Sequence, residues 1–472
     1  MMKPKLNRQQ FMQIAAQPRR FAQGEDGTIT IFACFMVLMM LMIGGIGVDM
    51  MHHEMERTRI QAVADRAVLA AADLDQTLDP EAVVRDYFAK SGMADFVSNV
   101  TVDEGLNYRT VTVDASTSMK TQFMNTLGVS NINVPAYSQA EEKVNKVEIS
   151  LVLDISGSMA SNNKMDNLHD AAGAFLDSVL KPETADLISV SVIPYTAQVN
   201  AGEEIFDELN INAWNPTYTH CVDFETSDFN QVALSLTKSY KHMQFFEAGY
   251  YWNRNSSEGA IDNPGCPKRD YEEIAAFSQD KNALKTRINK FRPRANTAIH
   301  LGMKWGVAML DPAFRPITEK LSTVDGVFAN RPAAYSDVET LKTIILMTDG
   351  ENVSTVRIQD SKYDSKSERK QWSRYPLYYW LNQNVRSNKH YRWAYTKYTP
   401  GQADSMLSNI CAAARAKNIV IWSIGFEVSN HGANVMRDCA SSPSHFFRVE
   451  GVEITEAFSA IARQINQLRL TQ

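Results

Sequence analysis

The chain has 472 residues, of which 44% are hydrophobic and 22% are charged. This composition is ordinary for a folded protein of one to three domains. The formal net charge of −6 gives no reason to expect a nucleic-acid partner. Neither GxxxxGK[ST] nor GxGxxG occurs where a phosphate-binding loop would need it, so the sequence gives no sign of a nucleotide site.

An uncharged apolar segment stands near the N-terminus. Residues 27–48, "GTITIFACFMVLMMLMIGGIGV", contain no charged side chain. As a helix this segment would be about 33 Å long, which is enough to cross the hydrocarbon core of a bilayer. The alternative is a cleaved signal peptide, whose apolar core is usually shorter, about 7–15 residues. Because a helical pattern continues after Asp49, we predict a retained transmembrane helix at 28–48.

The charges beside this segment predict its orientation. Basic residues precede it, and these are Lys3, Lys5, Arg8, Arg19 and Arg20. Positively charged flanks stay on the cytoplasmic side, so residues 1–27 are predicted to form a short cytoplasmic tail. Everything after Asp49 then lies outside the cytoplasm. The chain is therefore predicted to be a single-pass membrane protein.

The cysteines agree with an exported location. Cys34 lies within the apolar segment, and the other four cysteines all follow it. An even number of cysteines in an oxidising compartment suggests two disulfides, and four cysteines allow three connectivities. We expect Cys221–Cys266 and Cys411–Cys439, because each pair lies within one segment of the chain. The alternative is four unpaired buried thiols.

Residues 49–143 are predicted to form a small α+β module carried on the continuing N-terminal helix. Its apolar residues recur at alternating spacings, at Ile60, Ala64, Ala67, Ala71 and Leu74. This narrow seam of small residues suits close helix packing. A second helix is predicted at 80–91, and two β-rich runs around "DEGLN" predict a hairpin. The polar stretch 139–146 is interpreted as the junction to the next domain.

Residues 144–472 are predicted to form an α/β domain. Four apolar, β-branched runs, "VEISLVLDIS", "DLISVSVIPYTAQV", "LKTIILMTDG" and "IVIWSIGFEV", alternate with amphipathic stretches. The predicted helices cover 165–180, 296–310 and 403–417, with a last helix at 454–470. Strands that alternate with helices indicate a mainly parallel sheet with helices on both faces.

Two insertions interrupt this pattern, at about 200–290 and 353–400. The first holds Cys221, Cys266 and the aromatic run "MQFFEAGYYWNRN". The second mixes basic residues with tryptophans and tyrosines, a mixture that can stack on nucleic-acid bases. Outside the cytoplasm, a surface for an acidic or carbohydrate partner is the more plausible interpretation. The alternative is a loop that simply folds against the domain.

Oxygen-bearing side chains stand at two predicted strand ends. Asp154, Ser156 and Ser158 follow one strand, Asp349 follows another, and Thr297 begins a predicted helix. In an open parallel sheet, ligands bind beyond the carboxyl ends of the strands. Hydroxyl and carboxylate oxygens are hard donors that suit Mg²⁺ or Ca²⁺. We therefore predict a metal site made of these five residues.

Two other interpretations of the same serines stay open in the sequence. Ser158 or Ser161 could cap the following helix. Ser156 could instead be a nucleophile, which would need a G-x-S-x-G turn and a histidine base. The local sequence "DISGS" lacks the first glycine of that turn. His300 and His445 are candidate bases only by elimination.

"DISGSM", "NTAIHLG" and "ILMTDGEN" occur in this order, and together they resemble the metal-ion-dependent adhesion site of von Willebrand factor type A domains. The resemblance covers about 147–470 and implies a Rossmann-like parallel sheet. It implies that Ser156, Ser158 and Thr297 bind the metal directly. Asp154 and Asp349 would act directly or through water. The implied cofactor is Mg²⁺, with Ca²⁺ or Mn²⁺ as alternatives, and the implied partner is a protein that offers an acidic residue to the metal.

The N-terminus carries a second resemblance. The apolar segment, Asp49 and "QAVADRAVLAAA" are similar to the start of TadG-type proteins (TadE/G family) of tight-adherence (Flp) pilus systems. The stretch "CASSPSHFFRVEGVEITEAFSAIARQI" resembles the C-terminal end of the same proteins. The resemblance implies a non-catalytic, metal-dependent, protein-binding component of Flp pilus assembly or anchoring, with pilus components as partners. It also implies an inner-membrane location, with the C-terminal domains in the periplasm or outside the cell. The alternatives are a surface adhesin for host or matrix ligands and a serine-type hydrolase.

Overall fold

The computed structural model describes residues 26–73, 78–104, 108–143, 146–212, 218–251, 259–337 and 339–471. The chain divides into two compact units, Met1–Lys143 and Val144–Gln472.

The first unit combines a long helix with a small sheet. Its elements are α1 (Asp26–Ala72), α2 (Pro80–Lys90), β1 (Val97–Glu104), β2 (Tyr108–Lys120) and β3 (Asn131–Lys143). The strands form an antiparallel sheet in the order β1-β2-β3. The helix is continuous through Asp49, as the sequence predicts, and by length and composition it is able to cross a membrane. The apolar side chains of its N-terminal half are exposed, as lipid contact would require.

The predicted seam of α1 forms the core of this unit. Ile60, Ala64, Ala67 and Ala71 are completely buried, and they share an apolar cluster with residues of the sheet and of α2. Leu74 lies outside the described residues. Small side chains along the seam allow the helix to approach its neighbours closely.

The predicted junction at 139–146 is partly wrong, because residues 139–143 belong to β3. From Asn133 onward, exposed residues alternate with buried Val134, Ala136 and Ala140. That alternation is typical of a strand with one face in water. The polar residues that suggested a linker are the outward-facing half of this pattern.

The second unit contains the remaining elements. Its strands are β4 (Lys146–Asp154), β5 (Ile188–Tyr195), β6 (Ile211–Asn212), β7 (Val222–Asp223), β8 (Tyr240–His242), β9 (Ala275–Ser278), β10 (Thr340–Thr348), β11 (Thr355–Ile358), β12 (Ala394–Tyr398), β13 (Val420–Phe426) and β14 (Phe446–Val449). Its α-helices are α3 (Lys164–Val179), α4 (Glu203–Asp207), α5 (Lys281–Ile288), α6 (Ile299–Ala308), α7 (Arg315–Thr318), α8 (Lys366–Trp372), α9 (Leu377–Asn384), α10 (Pro400–Arg415), α11 (Asn430–Cys439) and α12 (Glu453–Thr471).

The central sheet has the order β14-β13-β10-β4-β5-β9. All neighbours are parallel except the edge strand β9, which is antiparallel to β5. Every residue from Val147 to Asp154 is buried, so both faces of β4 are covered. The predicted mainly parallel α/β fold is therefore confirmed. The sequence analysis missed the short edge strands β9 and β14.

The two insertions fold together instead of separately. Met243 and Phe246 from the first insertion share an apolar cluster with Ile358, Trp372 and Leu377 from the second. The backbone amides of Leu377 and Tyr379 donate to the carbonyl oxygens of Glu247 and Gly249, at 2.7 and 3.0 Å. Both predicted disulfides, Cys221–Cys266 and Cys411–Cys439, are present.

The aromatic residues of the second insertion are mainly structural. Trp372 is completely buried, and its ring contacts Trp380 and Trp393 with centroid distances of 5.4 and 6.2 Å. Tyr391 and Tyr395 are exposed. The tryptophans therefore support the interpretation of a segment that folds against the domain, rather than a stacking surface.

Candidate metal site

The predicted ligands lie where two central strands end side by side. Asp154 is the last residue of β4, and Asp349 directly follows β10. From β4 the chain continues to β5 on one side, whereas β10 is the neighbour on the other side. A crevice at the carboxyl ends of the strands forms where the direction of winding reverses in this way.

The structure brings the five predicted residues into one hydrogen-bonded cluster. Thr297 donates to Oγ of Ser156 at 2.9 Å. The hydroxyls of Ser156 and Ser158 lie 3.0 Å apart, and Ser158 donates to Oδ1 of Asp349 at 2.6 Å. Asp154 is linked to the cluster through the backbone, because its Oδ1 accepts a hydrogen bond from the amide of Ser156 at 2.8 Å.

The loop before α6 is held against the loop after β4. The amide of Gly157 donates to the carbonyl oxygen of Ala295 at 3.1 Å, and the amide of Arg294 donates to that of Ile155 at 3.0 Å. A Cβ atom at Gly157 would lie 2.9 Å from the carbonyl oxygen of Ala295. Only glycine therefore fits between the two serines while Thr297 stays in reach.

Helix α6 approaches the sheet closely through two glycines. A Cβ atom at Gly302 would lie 2.6 Å from the ring of Tyr195, and one at Gly306 would lie 2.5 Å from Val152. The missing side chains let the helix backbone rest directly on β4 and β5. This packing places Thr297, which precedes the helix, over the end of β4.

Asp154 is a completely buried carboxyl group. Burial and, next, the nearby charge of Asp349 raise the pKa of Asp154 to about 7. Thr348 offsets part of this effect, since its hydroxyl donates to Oδ2 of Asp154 at 2.7 Å. A buried pair of carboxyls is costly without a positive charge beside it. Such a pair favours binding of a cation.

Three further side chains, which the sequence did not predict, complete the surroundings of the cluster. Nζ of Lys164 lies 3.0 Å from Oδ2 of Asp349 and 3.7 Å from Oε2 of Glu427. Asn352 accepts at 2.8 Å from the amide of Ile299, the first residue of α6. Asn352 belongs to the quoted motif "ILMTDGEN", so its position was a usable signal. Glu427 comes from a distant strand end and gave none.

The arrangement fits a hard divalent cation. Neighbouring ligands of an octahedral Mg²⁺, each about 2.1 Å from the ion, lie about 3.0 Å from each other. The distances of 2.9 and 3.0 Å from Ser156 to the other two hydroxyls match this spacing. The described residues contain no group of three or more histidine, cysteine or carboxylate side chains that could hold a metal. The candidate site therefore depends on its hydroxyl ligands.

The helix-cap interpretation is wrong. The N-cap of α3 is Asn163, and no side chain makes a capping hydrogen bond there. The hydroxyl of Ser161 donates instead to the carbonyl oxygen of Ser158, at 3.0 Å.

Ser156 does not have the surroundings of a serine nucleophile paired with a histidine base. The side-chain partners of Ser156 are Ser158 and Thr297, and no described histidine forms a hydrogen bond with it. His300 is completely buried and contacts Asn352, at 3.2 Å. His445 contacts Ser442 and the ring of Trp422.

A cleft of about 800 Å³ adjoins the cluster. Gly157 and Thr297 lie at its metal-site end, and residues of both insertions, including Glu247, Tyr250, Arg357 and Tyr378, form its walls. The rings of Tyr250 and Tyr378 stack with centroids 5.0 Å apart. Ser158 is exposed, whereas Asp154 and Ser156 are fully buried. The candidate site is thus open to solvent at Ser158.

The sheet order, with the oxygen cluster at the ends of β4 and β10, agrees with the Rossmann-like parallel sheet that the resemblance to von Willebrand factor type A domains implies. In the other unit, residues 27–74 match the family model of Tad (Flp pilus-assembly TadE/G-like). This match connects the N-terminal segment with Flp pilus assembly. No curated protein matches the chain.

Several solved structures are similar to the chain. The von Willebrand factor domain of the type V pili tip protein Mfa5 from Porphyromonas gingivalis has 12% identity and a TM-score of 0.36, covering 70% of this chain and 97% of that chain. The pilus adhesin SpaC from Lactobacillus rhamnosus GG has 12% identity and a TM-score of 0.34 over 79% of this chain. The von Willebrand factor type A protein from Catenulispora acidiphila has 12% identity and a TM-score of 0.29 over 76% of this chain. The match spans only 34% of SpaC and 46% of the Catenulispora protein.

Proposed function

We propose that this protein is a non-catalytic, membrane-anchored component of Flp pilus assembly or anchoring that binds a protein partner through a divalent metal ion. The observation that carries the proposal is the cluster of Asp154, Ser156, Ser158, Thr297 and Asp349 beside an open cleft. The Tad match at residues 27–74 supports the pilus context, and the apolar part of α1 supports the anchor.

Different residues of the chain would bind the metal and the partner. Ser156, Ser158 and Thr297 would bind Mg²⁺, or Ca²⁺ or Mn²⁺, while Asp154 and Asp349 balance its charge directly or through water. When bound, the ion would supply an electrophilic position for a carboxylate of the partner. The partner chain next to that carboxylate would lie in the cleft, where the insertions determine which partner fits.

Metal binding is tested first, on the full-length protein in detergent. Manganese binding followed by electron paramagnetic resonance should weaken by about 100-fold in Asp349→Ala, which corresponds to about 2.7 kcal/mol. Asp360→Ala is the matched control, because Asp360 is an exposed carboxylate of the same unit. Equal manganese affinity in both variants would contradict the metal site.

Partner binding is tested by affinity capture from membranes, with and without a chelator. Wild type should retain pilus components only when the divalent ion is present, and Asp349→Ala should lose them. Capture of host or matrix molecules instead of pilus components would favour the surface adhesin. Identical partners in all conditions would contradict the metal-bridged mechanism.

Two further variants separate the remaining alternatives. If the metal only stabilises the loops, Asp154→Ala will lower the melting temperature but leave partner capture and piliation unchanged. If the protein is a hydrolase, Ser156→Ala will abolish turnover of an ester probe while metal binding persists. We expect neither result.

A further inference from the structure

The connection between β2 and β3, residues 121–130, is attached to α1 where the apolar segment ends. Oδ2 of Asp49 accepts from the amides of Phe123 and Met124, at 2.8 and 2.7 Å, and Oδ1 accepts from the amide of Gln122 at 3.0 Å. Hydrogen bonds to a carboxylate are stronger than those between neutral groups. Three of them hold this connection, called here the hairpin tip, firmly against the helix.

One residue of the hairpin tip extends further along the helix than Asp49. A Cβ atom at Gly45 would lie 2.4 Å from the ring of Phe123, so the ring rests directly on the helix backbone. Gly45 precedes Asp49 by about 6 Å along the helix axis. Gly45 belongs to the uncharged segment 27–48. The ring of Phe123 therefore lies beside the part of α1 that would be within the bilayer.

The hairpin tip also exposes three large apolar side chains, beside polar ones such as Asn125 and Thr126. Phe123 is 43% exposed, Leu127 is 51% exposed and Val129 is 40% exposed. No acidic residue occurs in the sequence between Asp114 and Glu141, so a lipid surface with anionic headgroups would not repel this end of the sheet. Exposed apolar side chains next to a membrane span are suited to the interfacial region.

We propose that the hairpin tip enters the lipid surface beside α1, with Phe123, Leu127 and Val129 among the headgroups and upper acyl chains. The unit would then contact the bilayer at two places, which limits its tilt and rotation about the helix. This inference rests on the membrane anchoring of the proposed function. The occupant is lipid rather than a second copy of the chain, because the contact with Gly45 places Phe123 at the depth of the span.

The test uses an environment-sensitive nitrobenzoxadiazole probe on single cysteines of the full-length protein. Cys34 is the free cysteine, and the other four form disulfides. Cys34→Ala combined with Leu127→Cys therefore places one probe on the hairpin tip. Labelled Cys34 itself reports insertion of α1.

The matched control is Cys34→Ala with Thr101→Cys. Thr101 is exposed on β1 and pairs with Thr112. Thr112 is about 26 Å from the end of β2 at Lys120, at about 3.3 Å per residue. A probe at this position stays in water if only the hairpin tip touches lipid.

The proteins are reconstituted into vesicles of phosphatidylcholine and phosphatidylglycerol, with or without spin-labelled phosphatidylcholine. We expect the spin label to quench the probes at positions 34 and 127 at least about twofold more than the probe at 101. Quenching at 34 with equal, weak quenching at 127 and 101 would overturn the inference while leaving the anchor intact. Absence of quenching at 34 would show that the anchor fails and the inference with it.

Two more outcomes are informative. A blue-shifted probe at position 127 without lipid quenching would indicate a protein contact, such as a second copy, and would also overturn the inference. Val129→Cys in the Cys34→Ala background repeats the measurement at another position of the hairpin tip. It serves in place of Leu127→Cys should that variant fail to fold.

Discussion

The ammonium nitrogen of Lys164 lies 3.0 Å from Oδ2 of Asp349, whose other oxygen accepts a hydrogen bond from Ser158. Lys164 is the first residue of α3 and is almost completely buried. The positive charge of Lys164 balances part of the negative charge of Asp349. A bound divalent cation would balance the same charge. Lysine and metal are thus expected to compete for the same carboxylate.

Replacement of this lysine should make the protein more dependent on metal. In Lys164→Met, the melting temperature should fall in chelator, because removal of one partner from a buried ion pair costs about 3 kcal/mol. Added Mg²⁺ should raise it by more than in wild type. The measurement is thermal unfolding followed by tryptophan fluorescence, since all seven tryptophans lie in the second unit. Lys290→Met, at an exposed position, is the control, and equal metal responses in both variants would contradict competition.

The glycine between the two serine ligands should be essential for metal binding. Gly157→Ala places a methyl group against the carbonyl oxygen of Ala295 and should move Thr297 away from the cluster. We expect manganese affinity to fall at least about tenfold, or about 1.4 kcal/mol. Gly173→Ala is the control, because its new methyl group meets only the flexible end of Lys285, at 3.4 Å. Unchanged affinity in Gly157→Ala would show that the loop adjusts.

Each disulfide should protect a different region. The pairs close loops of 45 and 28 residues, for which chain entropy predicts between about 3.5 and 4 kcal/mol of stabilisation. Replacing Cys221 and Cys266 by alanine should speed hydrogen exchange in the core shared by the insertions, including 377–381. Replacing Cys411 and Cys439 should affect α10 and α11 instead. Faster exchange in the same region for both double variants would contradict this division.

The buried His300 should make the second unit less stable in acid. Burial lowers the pKa of His300 from its usual 6.5 to about 4. The unfolded chain therefore takes up a proton as the pH falls below about 6.5, while the folded protein stays neutral until about 4. The free energy of unfolding therefore keeps the full contribution of His300 above about pH 6.5. Between about pH 6.5 and pH 4 it falls by up to about 1.4 kcal/mol per pH unit.

His300→Gln should reduce this loss, measured as urea unfolding at pH 5 and pH 7 by tryptophan fluorescence. The variant should not remove the loss entirely, because burial also lowers the pKa of His242 to about 4. His431→Gln, at an exposed position, is the control. A loss in His300→Gln as large as in wild type would show that His300 is not responsible.

The carboxylate of Asp49 should keep the backbone of the hairpin tip fixed against the helix. Asp49→Asn keeps the size of the side chain but removes the charge from the hydrogen bonds to 122–124. Such bonds contribute about 1.5–3 kcal/mol with a charged partner and about half of that with a neutral one. Amide exchange at 122–124 should therefore become at least about tenfold faster. Asp65→Asn should leave these amides unchanged, because the carboxylate of Asp65 accepts instead from the side chains of Gln61 and Ser138.

The residues of the oxygen cluster are predictable from the sequence because each follows a recognisable signal. Asp154 and Asp349 end apolar runs that could only be buried strands, and parallel strands place their carboxyl ends at one edge. Thr297 lies at the start of a predicted helix, within a quoted motif. Lys164 gave no comparable signal, because a lysine at a helix start is usually solvated. Only the fold shows that it is buried against Asp349.

The wrong junction and the open choice between two interpretations of the second insertion have a common origin. The stretch 139–143 was interpreted as a linker because its polar residues were read without their strand partners. The aromatic residues of the second insertion suggested a binding surface because the residues that bury them, such as Met243 and Phe246, come from the first insertion more than a hundred positions earlier. Local composition does not report such long-range contacts.

The sequence by itself predicted the apolar helix, the parallel sheet, the disulfide pairs and the five residues of the oxygen cluster, because each depends on local pattern or on residues that follow a strand. The tertiary structure decided the rest. Lys164 is buried against Asp349, residues of both insertions line one cleft, and Phe123 packs on Gly45. These features arise where distant segments meet, and their free energy depends on burial and distance rather than on order along the chain.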